Sequence, residues 1–294
     1  MRTGVIFSVV ASALFALMPA YLQWLPPIHS YVVIGQRVIW TSIIITIVLI
    51  TTRQLKAALQ PLSKPKNWPG LITGAVIIGM MWGLFVWAPL NGETLGIAMG
   101  FFLAPLVLVM VGLIVFKERL SPLQSIATLV AILAIICNLW NTGTFSWVAL
   151  MIAVGYPSYF VMRRIQPIPV LTAFYLENLI LIPLAIWACI VFGEVAHPFS
   201  YQPGMLLWLF GVALLGSLGM LFFLAASRRL PMTLFGLLGY LEPLFIFIVA
   251  VMVIGEKIRP GEGWTYLLIC LAIILLALDG LKQLLQAPDA IHSN

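Results

Sequence analysis

Charge is scarce in this chain. Asp, Glu, Lys and Arg make up 8% of its 294 residues, against 63% hydrophobic ones, and a soluble domain with that balance could not cover its own apolar surface. Hydrocarbon is the surrounding that suits it. Cysteine is scarce too: Cys137, Cys189 and Cys270 each lie inside an apolar run, without the paired spacing of a zinc site or redox pair. The three histidines, His29, His197 and His292, fall outside those runs, so no intramembrane metal constellation is expected. No Gly-x-x-x-x-Gly-Lys loop is present, and ATP drive would need a partner to supply it. Neither a His-Glu-x-x-His nor a serine with an evident base occurs, which argues against a membrane-embedded enzyme. We therefore expect no cofactor, no metal and no catalytic residue. The formal charge of +6 is spread over short loops rather than gathered in a stripe, so no nucleic-acid partner is expected either.

What the chain does have is a duplication. The stretch 101–140 returns 138 residues later as 239–278, with 12 of 40 paired positions identical and no gap, among them Pro105/Pro243, Glu118/Glu256 and Pro122/Pro260. The same offset matches Pro19-Ala20-Tyr21 to Pro157-Ser158-Tyr159. A fixed internal period of this kind governs the whole architecture. It divides the chain into residues 1–143 and 144–294.

Apolar runs of about 20 residues are long enough to span hydrocarbon as helices. They predict ten helices, at about 4–25, 31–52, 68–90, 94–116, 121–140, 145–163, 171–192, 204–226, 232–254 and 262–281, punctuated by Pro26-Pro27, the proline-rich 60–69 loop, Gln166–Pro169 and His197–Pro203. The expected fold class is an all-α membrane protein of ten transmembrane helices, five per copy. The first helix follows Arg2 but is read as retained, because many spans follow it. With the N-terminus in the cytoplasm, 12 of the 15 basic residues fall inside and only Lys257 and Arg259 outside. Both termini are then cytoplasmic. Five spans is an odd number, so the second copy is inverted relative to the first.

Three charges lie deep in the predicted spans, away from their ends, and must face protein or water rather than lipid. Arg37 sits roughly 9 Å below the outer surface, at 1.5 Å per helical residue, and Glu177 about as far above the inner one. In a core of about 30 Å that leaves about 12 Å between them in depth, whereas Glu242 falls near the midplane. Arg37–Glu242 is the direct pair to expect if one forms. Each carboxylate is either a proton-coupling group, charged beside a cation or protonated alone, or half of a fixed structural pair. Arg37, with its forked donors, is either a contact for an anionic substrate group or structural.

Aromatic and small residues supply further candidates. Trp82, Tyr159 and Tyr240 lie mid-span and could line a pocket for a flat or partly apolar solute, although core packing is the commoner use. Pro19 and Pro157 should kink their helices at equivalent repeat positions, and with Pro105 and Pro243 they are the hinge or gate candidates. Gly79-x-x-x-Gly83 and Gly96-x-x-x-Gly100 read as close-packing seams.

The ordered set Gln36-Arg37-Val38-Ile39-Trp40, Trp82-x-x-Phe85-x-Trp87-Ala88, Gly100-Phe101-Phe102 with Pro105-Leu106, Glu118-Arg119, Glu177, and Pro243 with Gly255-Glu256-Lys257 resembles the RarD branch of the EamA-type permeases, in the drug/metabolite transporter superfamily. The resemblance covers essentially the whole chain. It implies two inverted five-helix repeats, a bacterial inner membrane, a central cavity with the fifth and tenth helices peripheral to it, and export of small metabolites or drugs. Relatives are associated with chloramphenicol sensitivity or resistance and with amino-acid export. The chain departs from the family pattern at Met81 and Ala104, where relatives carry Asn, and at Glu242, where they often have Gly.

The reading is a secondary transporter of a small organic solute, working by alternating access between inverted repeats and coupled to protons. Its partners are membrane lipids, the solute and protons, and both monomer and homodimer stay open. The alternatives are a lipid or lipid-carrier flippase and, behind it, a membrane-embedded enzyme.

Overall fold

The computed structural model describes residues 2–23, 28–90, 94–142, 147–193, 203–249, 252 and 262–286. Among them the chain is helical throughout. In order the helices are α1 (Arg2–Gln23), α2 (Ser30–Thr51), α3 (Leu55–Leu59), α4 (Trp68–Leu90), α5 (Thr94–Ile114), α6 (Pro122–Thr142), α7 (Trp147–Ile165), α8 (Val170–Phe192), α9 (Pro203–Ser227), α10 (Met232–Leu238), α11 (Leu241–Val249) and α12 (Glu262–Gln286). The long helices fall within a few residues of the predicted spans. Proline sets several of their starts: Pro169 and Pro231 are the residues preceding α8 and α10, and Pro61 is the second residue and Pro65 the first of the two 3₁₀ turns between α3 and α4.

Two details differ from the sequence expectation. The 60–69 stretch is structured, its turns tied by Asn67 Nδ2 donating to the Pro61 carbonyl and Trp68 Nε1 to the Leu62 carbonyl. The ninth predicted span is not one helix but two, α10 and α11, parted at Gly239–Tyr240. Pro243 has no N–H to give the Gly239 carbonyl, which instead accepts from the Glu242 N–H at 3.3 Å, while Tyr240 N–H turns to the Leu237 carbonyl at 3.2 Å.

The surface is apolar and the buried positions are where polarity collects. Leu129, Leu207, Ile114, Ile190, Leu184 and Leu267 are all exposed, whereas Ser12, Thr41, Glu177, Asn178 and Arg163 are buried. Helices with lipid outside them place their polar groups against one another in this way. Ser30–Thr51, Pro65–Leu84, Val170–Phe192 and Gly204–Ser227 are each long and apolar enough by themselves to cross a membrane.

Packing repeats along with the sequence. α1 lies on α9 as α7 lies on α4; α5 lies on α7 as α11 lies on α1; α2 lies on α9 as α8 lies on α4. Three pairs, α2 with α8, α5 with α10 and α6 with α12, exchange with themselves when the halves are swapped. This is the contact pattern of a pseudo-two-fold axis, and five spans per copy make the copies antiparallel. α6 and α12 pack on each other at the edge, touching otherwise α5, α10 and α11.

The expected glycine seams are partly corrected. A Cβ on Gly79 would stand 3.0 Å from Leu181 on α8, but one on Gly83 would meet nothing within 4 Å. Gly100 is the tightest of the set, since its Cβ would lie 2.5 Å from Ile152 Cβ and 3.0 Å from the Ala149 carbonyl. Gly96 lies in α5, but what its side faces is outside the description.

Candidate functional site

A cavity of ≈ 320 Å³ opens between α1, α2, α4, α5 and the second-copy helices α7, α9, α10 and α11. Its walls are mostly aromatic and aliphatic, with Arg37, Tyr156 and Glu242 as the polar members. Five pairs of lining residues are related by the 138-residue offset: Met18/Tyr156, Trp82/Met220, Phe101/Gly239, Ala104/Glu242 and Pro105/Pro243. The cavity therefore sits on the pseudo-two-fold axis, although the axis is broken chemically wherever one copy carries the polar or aromatic residue alone.

Arg37 reaches this cavity from α2 and lays its guanidinium over the Trp82 ring, 4.2 Å from the centroid. Gly216 on α9 makes the approach possible, because a Cβ there would stand 2.6 Å from Arg37 Nε. Arg37 Nε has no hydrogen-bond partner among the described residues. Glu242 comes from the first turn of α11, beside the helix break that Pro243 causes. A discontinuous helix whose new N-terminus borders a cavity is a recurrent way for transporters to present polar groups at mid-membrane depth.

The expected Arg37–Glu242 pair is not formed. Both residues line the cavity, but among the described residues the ion pairs within 4.0 Å are Arg163–Glu177 and Arg164–Glu118. Trp82 holds the guanidinium instead, and Tyr156 lies within electrostatic reach of both Arg37 and Glu242.

Glu177 and Tyr159 stand elsewhere. Glu177 pairs with Arg163 at 3.3 Å and accepts a 2.6 Å hydrogen bond from the Tyr159 hydroxyl. Arg163 in turn donates to the Gly70 carbonyl on α4 at 3.0 Å and to Gln166. The sequence reading ends the sixth span on Arg163 and counts it among the twelve cytoplasmic cations, but α7 continues to Ile165. Arg163 therefore stays on the helix and turns inward at the depth of Glu177, with 1% of its side chain exposed. The packing is close enough that a Cβ on Gly74 would collide with Glu177 Oε1. Tyr240 is also off the cavity, buried in a satellite core with Phe102, Ala131, Ile135 and Ile269, its hydroxyl unpartnered among the described residues.

Of the hinge candidates, Pro105, Pro157 and Pro243 line the cavity, and Pro19 lies in α1 with its side chain outside the described residues. Sequence reasoning missed Tyr156 and the aromatic wall of Phe15, Phe160, Phe223 and Phe235. Tyr156 had a signal in hand, since it immediately precedes the repeated Pro157.

Comparison with known proteins fits this geometry. The EamA-like transporter family profile matches residues 142–278. The chain is 40% identical to the chloramphenicol-sensitive protein RarD of Pseudomonas aeruginosa, over 96% of this chain and 95% of that one. It is 33% identical to an uncharacterized transporter of Haemophilus influenzae, over 96% of both, and 27% identical to the protein RarD of Escherichia coli, over 95% of both. A solved crystal structure superposes with a TM-score of 0.72 over 94% of this chain and 97% of that one at 15% identity, a likeness of fold alone. Whole-length identity to RarD proteins and an EamA match on the second copy, on a fold of inverted helical repeats, mean that this chain is a multi-pass membrane transporter belonging to the RarD-like branch of the EamA family in the drug/metabolite transporter superfamily.

Proposed function

We propose that the protein carries a small organic solute with an apolar body and polar or charged groups through the central cavity by alternating access, as a proton-coupled exporter of a bacterial inner membrane, with both termini cytoplasmic. The observation that carries this reading is Arg37 and Glu242, opposite charges unpaired with each other on the walls of one apolar chamber that both repeats build. A chamber so lined favours a solute whose own groups complete the charge balance. Neutral amino acids satisfy it with a carboxylate toward Arg37 and an ammonium toward Glu242. Phenicol-type compounds would use the aromatic wall more than the charges, and the name of the Pseudomonas relative keeps them among the candidates.

Glu242 is the group assigned to proton coupling. A carboxylate facing an apolar chamber is stable protonated when alone and charged when a cation shares the space, so substrate and proton compete for it. Exchange of the two drives export down the inward proton gradient. Arg37 is then the anion contact, Trp82 its support and Tyr156 the polar bridge between the ends of the site.

Proteoliposomes loaded with labelled amino acids, phenicols or nucleosides, with and without an imposed pH gradient, test this. Gradient-driven movement of one solute class, abolished in Glu242→Gln and retained in part in Glu177→Gln, is the expected result. Transport indifferent to the gradient in all three proteins would sink the proton coupling. Translocation of labelled phospholipid with no soluble solute moved would point to a flippase instead.

A further inference from the structure

The wall of the cavity toward the N-terminal end of α1 is unlike the rest. There Phe160, Phe223 and Phe235 meet edge to face, with ring centroids 5.0, 5.9 and 6.1 Å apart. All three line the cavity, and together they close it with a floor of interlocked rings. One helical turn beyond Phe160, about 5.4 Å along the axis, stands Arg164, and Arg228 follows Phe223 by five residues, just past the end of α9.

That charged layer is a reciprocal clasp. Arg164, at the end of α7, donates through Nη1 to the Leu230 carbonyl at 2.8 Å and the Ser227 carbonyl at 3.3 Å, both at the α9–α10 turn. Arg228, in that turn, donates back through Nη2 to the carbonyls of Arg163, Gln166 and Ile168 at 2.6–2.8 Å, at the α7–α8 turn. Each arginine thus grips the backbone beside the other. Glu118, following α5, completes the layer: its carboxylate accepts from the N–H groups of Met232 and Thr233 and from the Thr233 hydroxyl at 2.7–2.9 Å, and lies 3.7 Å from Arg164 Nη2. The Arg164 guanidinium also covers the Phe116 ring at 4.7 Å.

The two arginines of the clasp are not repeated in the sequence of the first copy. At the 138-residue offset Arg164 corresponds to Pro26 and Arg228 to Leu90, while Phe160 and Phe235 correspond to Leu22 and Ile97; only Phe223 and Glu118 meet like residues, Phe85 and Glu256. A symmetric pair of halves would favour neither access state. Here the donors that bind the ends of α5, α7, α9 and α10 together at the N-terminal face all belong to the second copy.

We propose that Arg164 and Arg228, with Glu118 between α5 and α10, form a one-sided latch that holds the aromatic floor shut at the N-terminal face, so that the resting transporter opens to the opposite face. The proposal rests on the alternating-access reading above. Opening the floor parts α7 from α9 and α10, which the reciprocal bonds oppose. Each guanidinium makes these contacts through one terminal nitrogen, Arg164 Nη1 and Arg228 Nη2, at the full reach of the side chain; lysine keeps the charge, but its nitrogen stops one bond nearer the backbone and falls short of the same carbonyls.

The test is access to a cysteine in the cavity. Ala104→Cys, in a protein whose Cys137, Cys189 and Cys270 are changed to alanine, is labelled with a membrane-impermeant maleimide in vesicles of known orientation. With the latch intact, labelling is fast from the face opposite the N-terminus and slow from the N-terminal face. In Arg164→Lys and Arg228→Lys, and in Arg164→Gln and Arg228→Gln where these fold, labelling from the N-terminal face rises by about tenfold or more, as expected when a two-state balance loses several charge-assisted bonds from one state. An intact protein labelled from the opposite face, with the four variants unchanged, overturns the latch and leaves alternating access standing. A cavity labelled equally from both faces, or from neither, in the intact protein overturns both. The lysine variants keep the charge of the layer, so the result does not hinge on a variant that fails to assemble.

Discussion

Arg37 rests on Trp82 rather than on Glu242: its guanidinium lies 4.2 Å from the indole centroid, while the carboxylate that shares its cavity forms no ion pair within 4.0 Å among the described residues. The one intramembrane cation on α2 is thus held by a π-face, which orients it without neutralising it. The guanidinium remains part of the chamber wall.

Removing that support should weaken binding without emptying the site of charge. Trp82→Ala is expected to lower affinity for the transported solute by about 2- to 30-fold, the range that a cation–π contact of about 0.5–2 kcal/mol covers, and Trp82→Phe by less. Titration of purified protein with labelled solute measures it. Equal affinity in wild type and Trp82→Ala would deny the contact any part in recognition.

Gly216→Ala should imitate that loss from the other side. The added Cβ would stand 2.6 Å from Arg37 Nε and 2.7 Å from its Cζ, and the far end of a flexible side chain is what must yield. Thermal stability in detergent is therefore expected to stay near that of the wild type while solute affinity falls. A protein that melts earlier but binds normally would contradict this account of the glycine.

The Arg163–Glu177 pair should behave as a buried couple. Arg163→Met or Glu177→Gln alone leaves a charge without its partner and should cost about 3–5 kcal/mol, with part of that restored in the double variant. Unfolding in detergent, read as a double-mutant cycle, decides the matter. Single losses that simply add would mean the 3.3 Å approach contributes no coupling. Tyr159→Phe, which removes one hydrogen bond to Glu177, is expected to cost about 1–3 kcal/mol.

Gly100 and Gly83 should part company. Alanine at Gly100 forces a Cβ to 2.5 Å from Ile152 Cβ on α7, and overpacking of this kind costs about 1–3 kcal/mol. At Gly83 the new methyl meets nothing within 4 Å, and the gain in helix propensity of up to about 1 kcal/mol leaves Gly83→Ala neutral or slightly stabilised. Comparison of the two melting temperatures is enough, and a destabilised Gly83→Ala would restore the seam expected from the motif.

The amino-acid sequence alone determined the solvent, the helices and their duplication. Apolar run length and scarcity of charge leave few options in hydrocarbon, where each backbone must satisfy itself within a helix, and the offset that relates Pro105 to Pro243 is a property of the string. It also brought out Arg37, Trp82, Glu242 and three of the four hinge prolines, all of which meet at one cavity, because a charge or a proline in a span is costly enough to be conspicuous. Depth along a helix axis could be counted from the string, but rotation about that axis could not. Glu177 and Tyr159 turn to Arg163, Tyr240 turns into a satellite core, and Tyr156 turns into the chamber, according to which neighbour each helix packs against. The choice of Trp82 over Glu242 as the partner of Arg37, and the mutual grip of Arg164 and Arg228, were decided by tertiary structure for the same reason: residues 45 or 64 positions apart become neighbours only when helices from distant parts of the chain are set side by side.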